Sequence, residues 1–302
     1  MNIRNAVIRA LTFAIVAGVF LGALAAEAAV INYRSIGTRT DVLFNMGTAS
    51  VDMDQTVVTF ADGVLPDTVG RGDEIVIDDE ELYILSRDSD TRVTLQTAAQ
   101  KRHISEEFAI RRAYTSIQAW VNDRNGNLIR EDRLEVGLCY NDGPFTTKKH
   151  WVLAHIRGSK TDPDHFMWLM AAETAQHKGF AGKGVVLDGL NRTRCGILIE
   201  DDYTRVDGLD LKNFGHCEVP GAVAVRFARG VILERLLIHD FDVRHHESFG
   251  IKGGMHSDFL ARNCIIYGGG TAGIVTRWKT SKAAVENCTV FGMKGKGVDE
   301  GN

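Results

Sequence analysis

The feature that most constrains this chain is a phrase that occurs twice. The segment RNCIIYGGGTAGIVTR begins at Arg262, and ENCTVFGMKGKGVDEG begins 24 residues later at Glu286. Both contain Asn-Cys, an apolar pair, glycines and then Gly-Ile or Gly-Val at matching positions. Self-similarity at a fixed interval of about 20 to 50 residues is typical of stacked repeat architectures. The sequence therefore predicts a solenoid.

The repeat extends further towards the N-terminus. One column of short apolar segments recurs at intervals of 26, 28, 23 and 24 residues, starting at Gly196, Ala222, Gly250, Gly273 and Gly297. A second column contains VDGLDLKNF, LERLLIHDF, ARNCIIYGG and VENCTVFGM. Each unit thus has two short strands, too small to bury an apolar face alone. Neighbouring units must therefore stack, with strands about 4.8 Å apart.

Strand alternation divides each column into an inward and an outward set. The inward set of the Gly-Ile column is Ile197, Val223, Ile251, Ile274 and Val298. The inward set of the other column is Leu209, Leu211, Leu236, Ile238, Cys264, Ile266, Cys288 and Val290. The outward positions are Leu198, Ala224, Lys252, Val275 and Asp299, and, two residues on, Glu200, Arg226, Gly254, Arg277 and Gly301. We therefore expect Glu200, Arg226, Lys252, Arg277 and Asp299 to follow the stack axis on one face.

The Asn-Cys pairs are interpreted as structural. Cys264 and Cys288 are expected to be stacked core thiols. Asn263 and Asn287 fall at the adjoining turn, where asparagine tolerates left-handed backbone geometry and can hydrogen-bond its neighbour. The chain has five cysteines, and an odd number leaves at least one thiol unpaired within a monomer.

The region before the repeats has two other patterns. Residues 29–104 alternate apolar and polar positions between turn residues, which predicts a small antiparallel β module. Residues 105–124 are predicted to be a capping helix and linker, with Ser105 as N-cap. The residues on one helical stripe are Ile110, Ala113, Ile117, Trp120 and Val121. The solenoid is expected over 130–302, with the helix covering its first coil and no capping element at its C-terminal end.

The N-terminal segment and the overall charge limit the compartment and the partners. Residues 1–28 contain basic Arg4 and Arg9, an apolar stretch and Ala26-Glu27-Ala28, a pattern typical of a cleaved secretory signal. Export to the periplasm, the cell surface or the medium is expected, with no stable membrane span after cleavage. The net charge is −4 without a long basic run, so no nucleic-acid partner is expected.

With its coil period, apolar columns and Asn-Cys turns, the chain resembles the right-handed parallel β-helix proteins of the pectin-lyase-like superfamily. The resemblance covers residues 183–302 clearly and extends back to 130. The fold class that we predict is therefore mainly β, a right-handed parallel β-helix solenoid preceded by a small antiparallel β module and a capping α-helix. The resemblance implies export and surface residence, and it specifies no reaction.

The resemblance suggests a use for the outward face. Proteins of this superfamily bind acidic or neutral polysaccharides in a groove beside such a strand ladder. In lyases of this fold a basic residue removes the proton next to a uronate carboxylate, so Lys252 would be the catalytic base and Arg277 would neutralise the carboxylate. Glu200, Arg226 and Asp299 would contact the substrate. The alternative interpretation is a solvated sheet face whose charges serve solubility.

Two clusters of titratable side chains are further candidates for a functional site. The segment HDFDVRHHES places several titratable side chains in one loop: His239, Asp240, Asp242, His245, His246 and Glu247. Such a loop can ligate a metal, shuttle protons or bind substrate, although it lacks a fixed ligand spacing, and a plain polar loop is the alternative. Aspartates 201, 202, 207 and 210 invite comparison with polygalacturonases, whose Asn-Thr-Asp and Arg-Ile-Lys signatures are absent here. These aspartates are candidate ligands of a calcium ion, and the sequence specifies no cofactor.

Three functional hypotheses follow. The leading one is an extracellular or surface scaffold that binds or adheres to a polysaccharide or a cell-surface glycan. The second is a polysaccharide lyase or hydrolase that uses Lys252 and Arg277. The third is a purely structural solenoid that assembles head to tail through its open end, as an oligomer or as part of a longer native chain.

Overall fold

The computed structural model describes residues 29–148, 151–215, 221–241 and 248–300. In chain order, its strands are β1 (Val30–Ile36), β2 (Thr48–Val51), β3 (Val57–Ala61), β4 (Glu74–Ile77), β5 (Glu80–Ser89), β6 (Arg92–Leu95), β7 (His103–Glu106), β8 (Phe108–Arg111), β9 (Arg133–Cys139), β10 (Val152–Ile156), β11 (Met167–Ala171), β12 (Val186–Asp188), β13 (Cys195–Ile199), β14 (Arg205–Asp207), β15 (Asp210–Lys212), β16 (Gly221–Arg226), β17 (Val231–Glu234), β18 (Leu237–His239), β19 (Phe249–Gly254), β20 (Asp258–Arg262), β21 (Ile265–Tyr267), β22 (Ala272–Thr276), β23 (Lys282–Glu286), β24 (Thr289–Phe291) and β25 (Lys296–Glu300). The α-helix α1 (Ile117–Arg124) precedes β9, and a 3-10 turn (Glu173–Ala175) follows β11.

Three parallel sheets run along the stack of coils. The first sheet has the order β1-β9-β11-β14-β17-β20-β23, the second β12-β15-β18-β21-β24 and the third β10-β13-β16-β19-β22-β25. From β11 onwards the chain passes through the first, second and third sheets in turn, and then starts the next coil. Parallel crossovers of this kind are right-handed. The predicted fold class, a mainly β chain with a right-handed parallel β-helix, is confirmed.

The core of the solenoid is built from the predicted inward columns. In the third sheet Ile197 pairs with Val223, Val223 with Ile251, Ile251 with Ile274 and Ile274 with Val298. The first four of these side chains are fully buried, whereas Val298 in β25 is 48% exposed. The inward residues of the second sheet lie in the same core cluster. In-register pairing therefore gives equivalent residues the same buried environment.

A column of small residues at the second position of each third-sheet strand, here called the corner, lets the coils approach closely. A Cβ on Gly196 would lie 2.6 Å from the backbone oxygen of Ala222, and a Cβ on Gly250 would lie 2.6 Å from that of Gly273. A Cβ on Gly250 would also meet Ile266 Cγ2 at 2.8 Å, so this position points into the core. Glycine therefore recurs at Gly196 and Gly250 because a Cβ there would press against the next coil, although Ala222 is accommodated at the equivalent position.

The asparagine turns form as predicted. Asn263 and Asn287 have φ values of 56° and 49°, in the left-handed region. The Asn287 side-chain amide donates a hydrogen bond to Asn263 Oδ1 at 2.7 Å. Left-handed geometry costs asparagine less than most residues, and the cross-coil hydrogen bond offsets part of that cost.

An antiparallel module is inserted between β1 and α1. Its sheet has the order β7-β2-β3-β6-β5-β4-β8. Alternate residues of the strands, such as Ile75 and Ile77 of β4, face a second apolar core that is separate from that of the solenoid. The period-two pattern therefore predicted the type of this module. β1 itself, which the sequence placed in the module, pairs in parallel with β9 along its whole length and belongs to the solenoid.

The predicted helix begins later than expected, and the prediction of a helical start near Ser105 is wrong. Residues 103–106 and 108–111 are strands β7 and β8, in which Phe108 and Ile110 pair with β4 and enter the core of the module. Phe108 and Ile110 are two positions apart, which is the spacing of residues on one face of a strand. Ile110 also fitted the apolar stripe of a helix, so the pattern was compatible with both structures.

The helix α1 starts instead after Ser116, whose side chain accepts a hydrogen bond from the backbone of Ala119. Its apolar residues Ile117, Trp120 and Val121 are buried in the solenoid core, as the helical stripe predicted. The helix packs against β9 and β10. No helix in the described ranges is long and apolar enough to cross a bilayer.

Two glutamines end the strand ladders at the N-terminal side of the solenoid. Gln96 accepts the N–H of Tyr33 at 2.8 Å and donates to its carbonyl at 2.8 Å. Gln118 does the same for His155, accepting at 2.8 Å and donating at 3.4 Å. Tyr33 lies on β1 and His155 on β10, the first strands of the first and third sheets. Each carboxamide thus supplies the donor and the acceptor that a further strand would supply.

A buried arginine joins the module to the solenoid. Arg112 contacts Asp73 of the module at 2.8 Å and Asp142 after β9 at 2.7 Å. Its guanidinium lies 3.7 Å from the centroid of the Tyr140 ring. Burial raises the pKa of Asp73 to about 6, against the lowering effect of Arg112. Removing one partner from such a group would leave a buried charge unpaired, which is costly. These contacts therefore fix the module in place.

The corner glycines generate a stability prediction. We expect Gly250→Ala to lower the free energy of unfolding by about 2 kcal/mol, because the added methyl group overpacks the corner. Gly297→Ala is the matched control, since a Cβ there would lie 3.8 Å from the nearest atom, the Val290 side chain. The measurement is the denaturant midpoint of each variant, and equal shifts in the two variants would contradict the explanation.

Candidate functional site

The predicted charged face lies on the outward side of the third sheet. The register places Leu198, Ala224, Lys252, Val275 and Asp299 in one row, with Arg226 opposite Gly254 in the next. Glu200 directly follows β13 and Arg277 directly follows β22. The structure therefore brings together Glu200, Arg226, Lys252, Arg277 and Asp299 on one face. The other predicted substrate-binding residues, His245, His246 and Glu247, lie outside the described residues.

One end of this face carries a polar row across three coils. His155 Nε2 lies 2.9 Å from Glu200 Oε2, and Arg226 lies 3.6 Å from Glu200 Oε1. Glu200 therefore sits between a histidine and an arginine. At the other end, Asp299 pairs with Lys296 at 2.8 Å. Ion pairs at such partly exposed positions contribute little stability, which leaves these groups available to exchange partners with a ligand.

The centre of the face is organised by Phe249. Lys252 Nζ lies 5.4 Å and Arg277 Cζ 5.0 Å from the centroid of its ring. Cations at this distance are attracted to the ring face. The two predicted catalytic cations therefore lie near the same ring. Their catalytic roles stay a prediction.

Some of the residues predicted to point outward are buried. Leu198 and Ala224 pack with Cys195, and Val275 packs with Phe249, in two small clusters outside the main core. Leu198, Ala224 and Val275 therefore point away from the main core, as predicted, but they are buried. The face is therefore an apolar surface from which charged side chains project. Long basic side chains can cover such a surface with their aliphatic parts.

Two exposed aromatic residues border this face, and the sequence analysis missed them. Phe227 is 53% exposed and Trp278 is 51% exposed. Each directly follows an outward arginine, in Arg226-Phe227 and Arg277-Trp278. The Trp278 indole lies 3.6 Å from the site of a Cβ on Gly254, so the glycine gives it room. The recurrence of Arg-aromatic at matching ends of two repeats was the signal that would have identified them.

Part of the histidine loop forms a ring stack on the second sheet. The His239 and Tyr267 rings stack at 5.2 Å with an interplanar angle of 7°, and Tyr267 and Phe291 stack at 5.2 Å with 9°. The three residues are in register on β18, β21 and β24. Their ring faces are largely occupied by one another, so this stack joins coils and offers a sugar mainly ring edges.

His239 is held at both ring nitrogens. Nε2 lies 2.9 Å from the buried Asp210 and Nδ1 lies 2.7 Å from Asp240. Burial lowers the pKa of His239, but the hydrogen bonds to Asp210 and Asp240 outweigh it, and the pKa lies above its ordinary value. The ring therefore favours the imidazolium form in the folded protein.

The aspartates proposed as calcium ligands have separate protein partners. Asp201 accepts from the Ser159 N–H, Asp202 from the Arg229 N–H, Asp207 pairs with Arg235 and Asp210 with His239. In the ranges that the structure describes, no group of three or more His, Cys, Asp or Glu side chains is placed to hold a metal ion. Calcium binding stays a prediction without a defined ligand set.

No protein-family model and no curated protein matches the chain. Among solved structures, the chain is similar to the tailspike protein gp49 of Pseudomonas phage LKA1, at 9% identity and a TM-score of 0.24, covering 87% of this chain and 48% of that one. It is also similar to the gp54 tailspike of Acinetobacter baumannii bacteriophage AP22 in complex with A. baumannii capsular saccharide, at 8% identity and a TM-score of 0.20, covering 89% and 60%.

A third similar structure is the tailspike gp61 of Pseudomonas phage phi297, at 10% identity and a TM-score of 0.20, covering 87% of this chain and 52% of that one. The chain thus spans only about half the length of these proteins.

The raised pKa of His239 predicts a pH dependence of stability. A group whose pKa is raised on folding stabilises the protein fully below its unfolded pKa, about 6.5, and this contribution is lost as the pH rises through the folded pKa. We expect His239→Gln to lower the melting temperature at about pH 5.5, and the gap to the wild type to narrow at higher pH.

The control for this experiment is His256→Asn, in an exposed turn, which should leave the profile unchanged. A melting-temperature gap between wild type and His239→Gln that stays constant across the pH range would contradict the predicted charge on His239.

Proposed function

We propose that this chain is a β-helix scaffold that binds an acidic polysaccharide along the outward face of the third sheet. The observation that carries the proposal is the half-exposed Trp278, whose indole lies against Gly254, the residue between Arg226 and Arg277 in the same row. An indole with a free face packs on the apolar face of a sugar ring, and an arginine on each side suits carboxylates.

The spacing of the arginines supports a chain-like ligand. Arg226 pairs in register with Gly254, and Arg277 follows the strand that pairs next to Gly254. Two strand spacings therefore separate the arginines, roughly 10 Å between their backbones. Phe227 and Trp278 accompany them at the same spacing. A repeating ligand aligned with the solenoid axis would meet the same pair of groups, an aromatic ring and a guanidinium, in successive places.

The charge pattern supports a direction for the bound chain. Glu200 accepts hydrogen bonds and would contact sugar hydroxyls at one end, whereas Lys252 and Arg277 near Phe249 would hold carboxylates at the centre. Asp299 would contact the ligand beyond β22. His245, His246 and Glu247 remain proposed as further contacts with the polysaccharide.

Location and family form part of the proposal. Residues 1–28 would direct export and be removed, which would leave the solenoid at the cell surface, in the periplasm or in the medium. Membership of the pectin-lyase-like superfamily, which rests on the coil period and the Asn-Cys turns, remains a resemblance.

The binding surface generates a direct prediction. We expect Trp278→Ala to weaken binding to an acidic polysaccharide about tenfold, since the loss of one aromatic stacking contact is worth about 1.4 kcal/mol. Co-sedimentation or calorimetry with polygalacturonate, alginate and hyaluronate would measure it, with dextran as a neutral comparison. Binding should also weaken as salt is raised.

The matched control is Phe180→Ala, because Phe180 is 69% exposed and lies in the loop before the second sheet. This variant should bind like the wild type. The absence of binding to all the acidic polymers, or equal losses in both variants, would overturn the proposed function.

A lyase remains the second candidate, favoured by the shared contact of Lys252 and Arg277 with Phe249. Lys252, as the free amine, would remove the proton on the carbon next to the uronate carboxylate, and Arg277 would stabilise the enolate dianion that forms. The bond to the glycosidic oxygen would then break as the carbon–carbon double bond forms, and that oxygen would leave with a proton from water. The test is the rise in absorbance of an unsaturated uronate product during incubation with the same polymers. Loss of that signal in Lys252→Ala with binding retained would establish the activity, and no signal in the wild type would remove it.

A further inference from the structure

The repeated Asn-Cys phrase brings two thiols together at equivalent places in consecutive coils. Arg262 pairs with Glu286, and Ile265 pairs with Thr289, so the intervening Cys264 and Cys288 are in register. Neighbouring strands lie about 4.8 Å apart. This spacing falls within the range of about 4.4–6.8 Å between Cα atoms that a disulfide requires.

The side chains are directed along the stack. Cys288 Sγ lies 3.5 Å from the backbone oxygen of Ala261, one coil back and on the side of Cys264. Both thiols are reduced in this structure, and each donates to a backbone oxygen of its own coil at 3.3 Å, Cys264 to Arg262 and Cys288 to Glu286. Cys264 is 1% exposed, whereas Cys288 is partly exposed. One sulfur is therefore open to a reagent, and the other lies behind it.

The two thiols are unequal. The neighbouring Cys264 side chain lowers the pKa of Cys288 to about 6, whereas the Cys288 side chain and burial raise the pKa of Cys264. The other buried cysteines Cys139 and Cys195 have pKa values raised by burial. Thiolates are the nucleophiles of thiol–disulfide exchange, so Cys288 is the attacking sulfur and Cys264 the resolving one.

We propose that Cys264 and Cys288 are a redox-active pair that closes a cross-coil disulfide when the protein meets a small disulfide such as oxidised glutathione. The proposal goes beyond polysaccharide binding and does not depend on it.

The exchange proceeds in two steps. First, the Cys288 thiolate attacks one sulfur of glutathione disulfide, which forms a mixed disulfide and releases one glutathione thiolate. Cys264 then loses its proton and attacks Cys288 Sγ, which forms the Cys264–Cys288 bond and releases the second glutathione thiolate. The protein loses two electrons and the oxidant gains them.

The bond would close a loop that carries part of the proposed binding surface. Arg277 and Trp278 both lie between the two cysteines in the chain. Oxidation would thus tie the coil that contains them to the next one, and it would restrict the unfolded chain. The melting temperature is therefore expected to rise on oxidation by several degrees.

The experiment counts thiols before and after oxidation. The native full chain is incubated with oxidised glutathione near pH 7.5, unfolded in denaturant, and titrated with a thiol reagent. The five cysteines of the sequence should fall to three after oxidation, and mass spectrometry should identify a peptide linking Cys264 to Cys288.

Single variants separate the two roles. Cys264→Ser should accumulate a stable glutathione adduct at Cys288, because the resolving thiol is gone. Cys288→Ser should resist oxidation. Cys139→Ser is the control, since Cys139 is buried within the solenoid, and it should still lose two thiols. If a serine variant fails to fold, the linked peptide of the wild type decides the matter. Five remaining thiols, or a linkage to any other cysteine, would overturn the proposal.

Discussion

In-register pairing of each strand with the strand one coil away is the constraint on which this structure depends. Isolated coils have neither a buried face nor partners for their backbone groups, so every coil borrows both from its neighbours. A residue such as Ile251 is therefore defined by Val223 and Ile274, which flank it in the column. The corner glycines and the left-handed asparagines follow from the same constraint, because each corner must match the next.

The same constraint builds the candidate site. Side chains that are far apart in the chain become neighbours because their coils are in register, as Glu200 and Arg226 are. A row of outward residues then has the direction of the solenoid axis and the spacing of its strands. Such a surface suits an extended ligand with a repeat better than a compact one, and the two Arg-aromatic pairs at matching coil ends are consistent with that use.

The sequence predicted the features that recur in every coil. It missed the features that occur once or that lie at a corner. The coil period identified the fold and placed Lys252 and Arg277 on one face, because period-two alternation holds within a strand. It did not indicate Phe249, because Gly250 and Ile251 both face the core and so interrupt the alternation. It also failed at Phe108 and Ile110, whose spacing fits both a strand and a helix, and only their partners in β4 distinguish the two.

The two glutamine carboxamides at Tyr33 and His155 give the solenoid a polarity in any self-association. Addition of a strand from a second copy at these residues would have to displace a side chain that already satisfies the backbone at both its donor and its acceptor. A polymer that grows by joining unlike ends needs both ends to be receptive. The two glutamines would therefore oppose the addition of further copies at the N-terminal side of the solenoid.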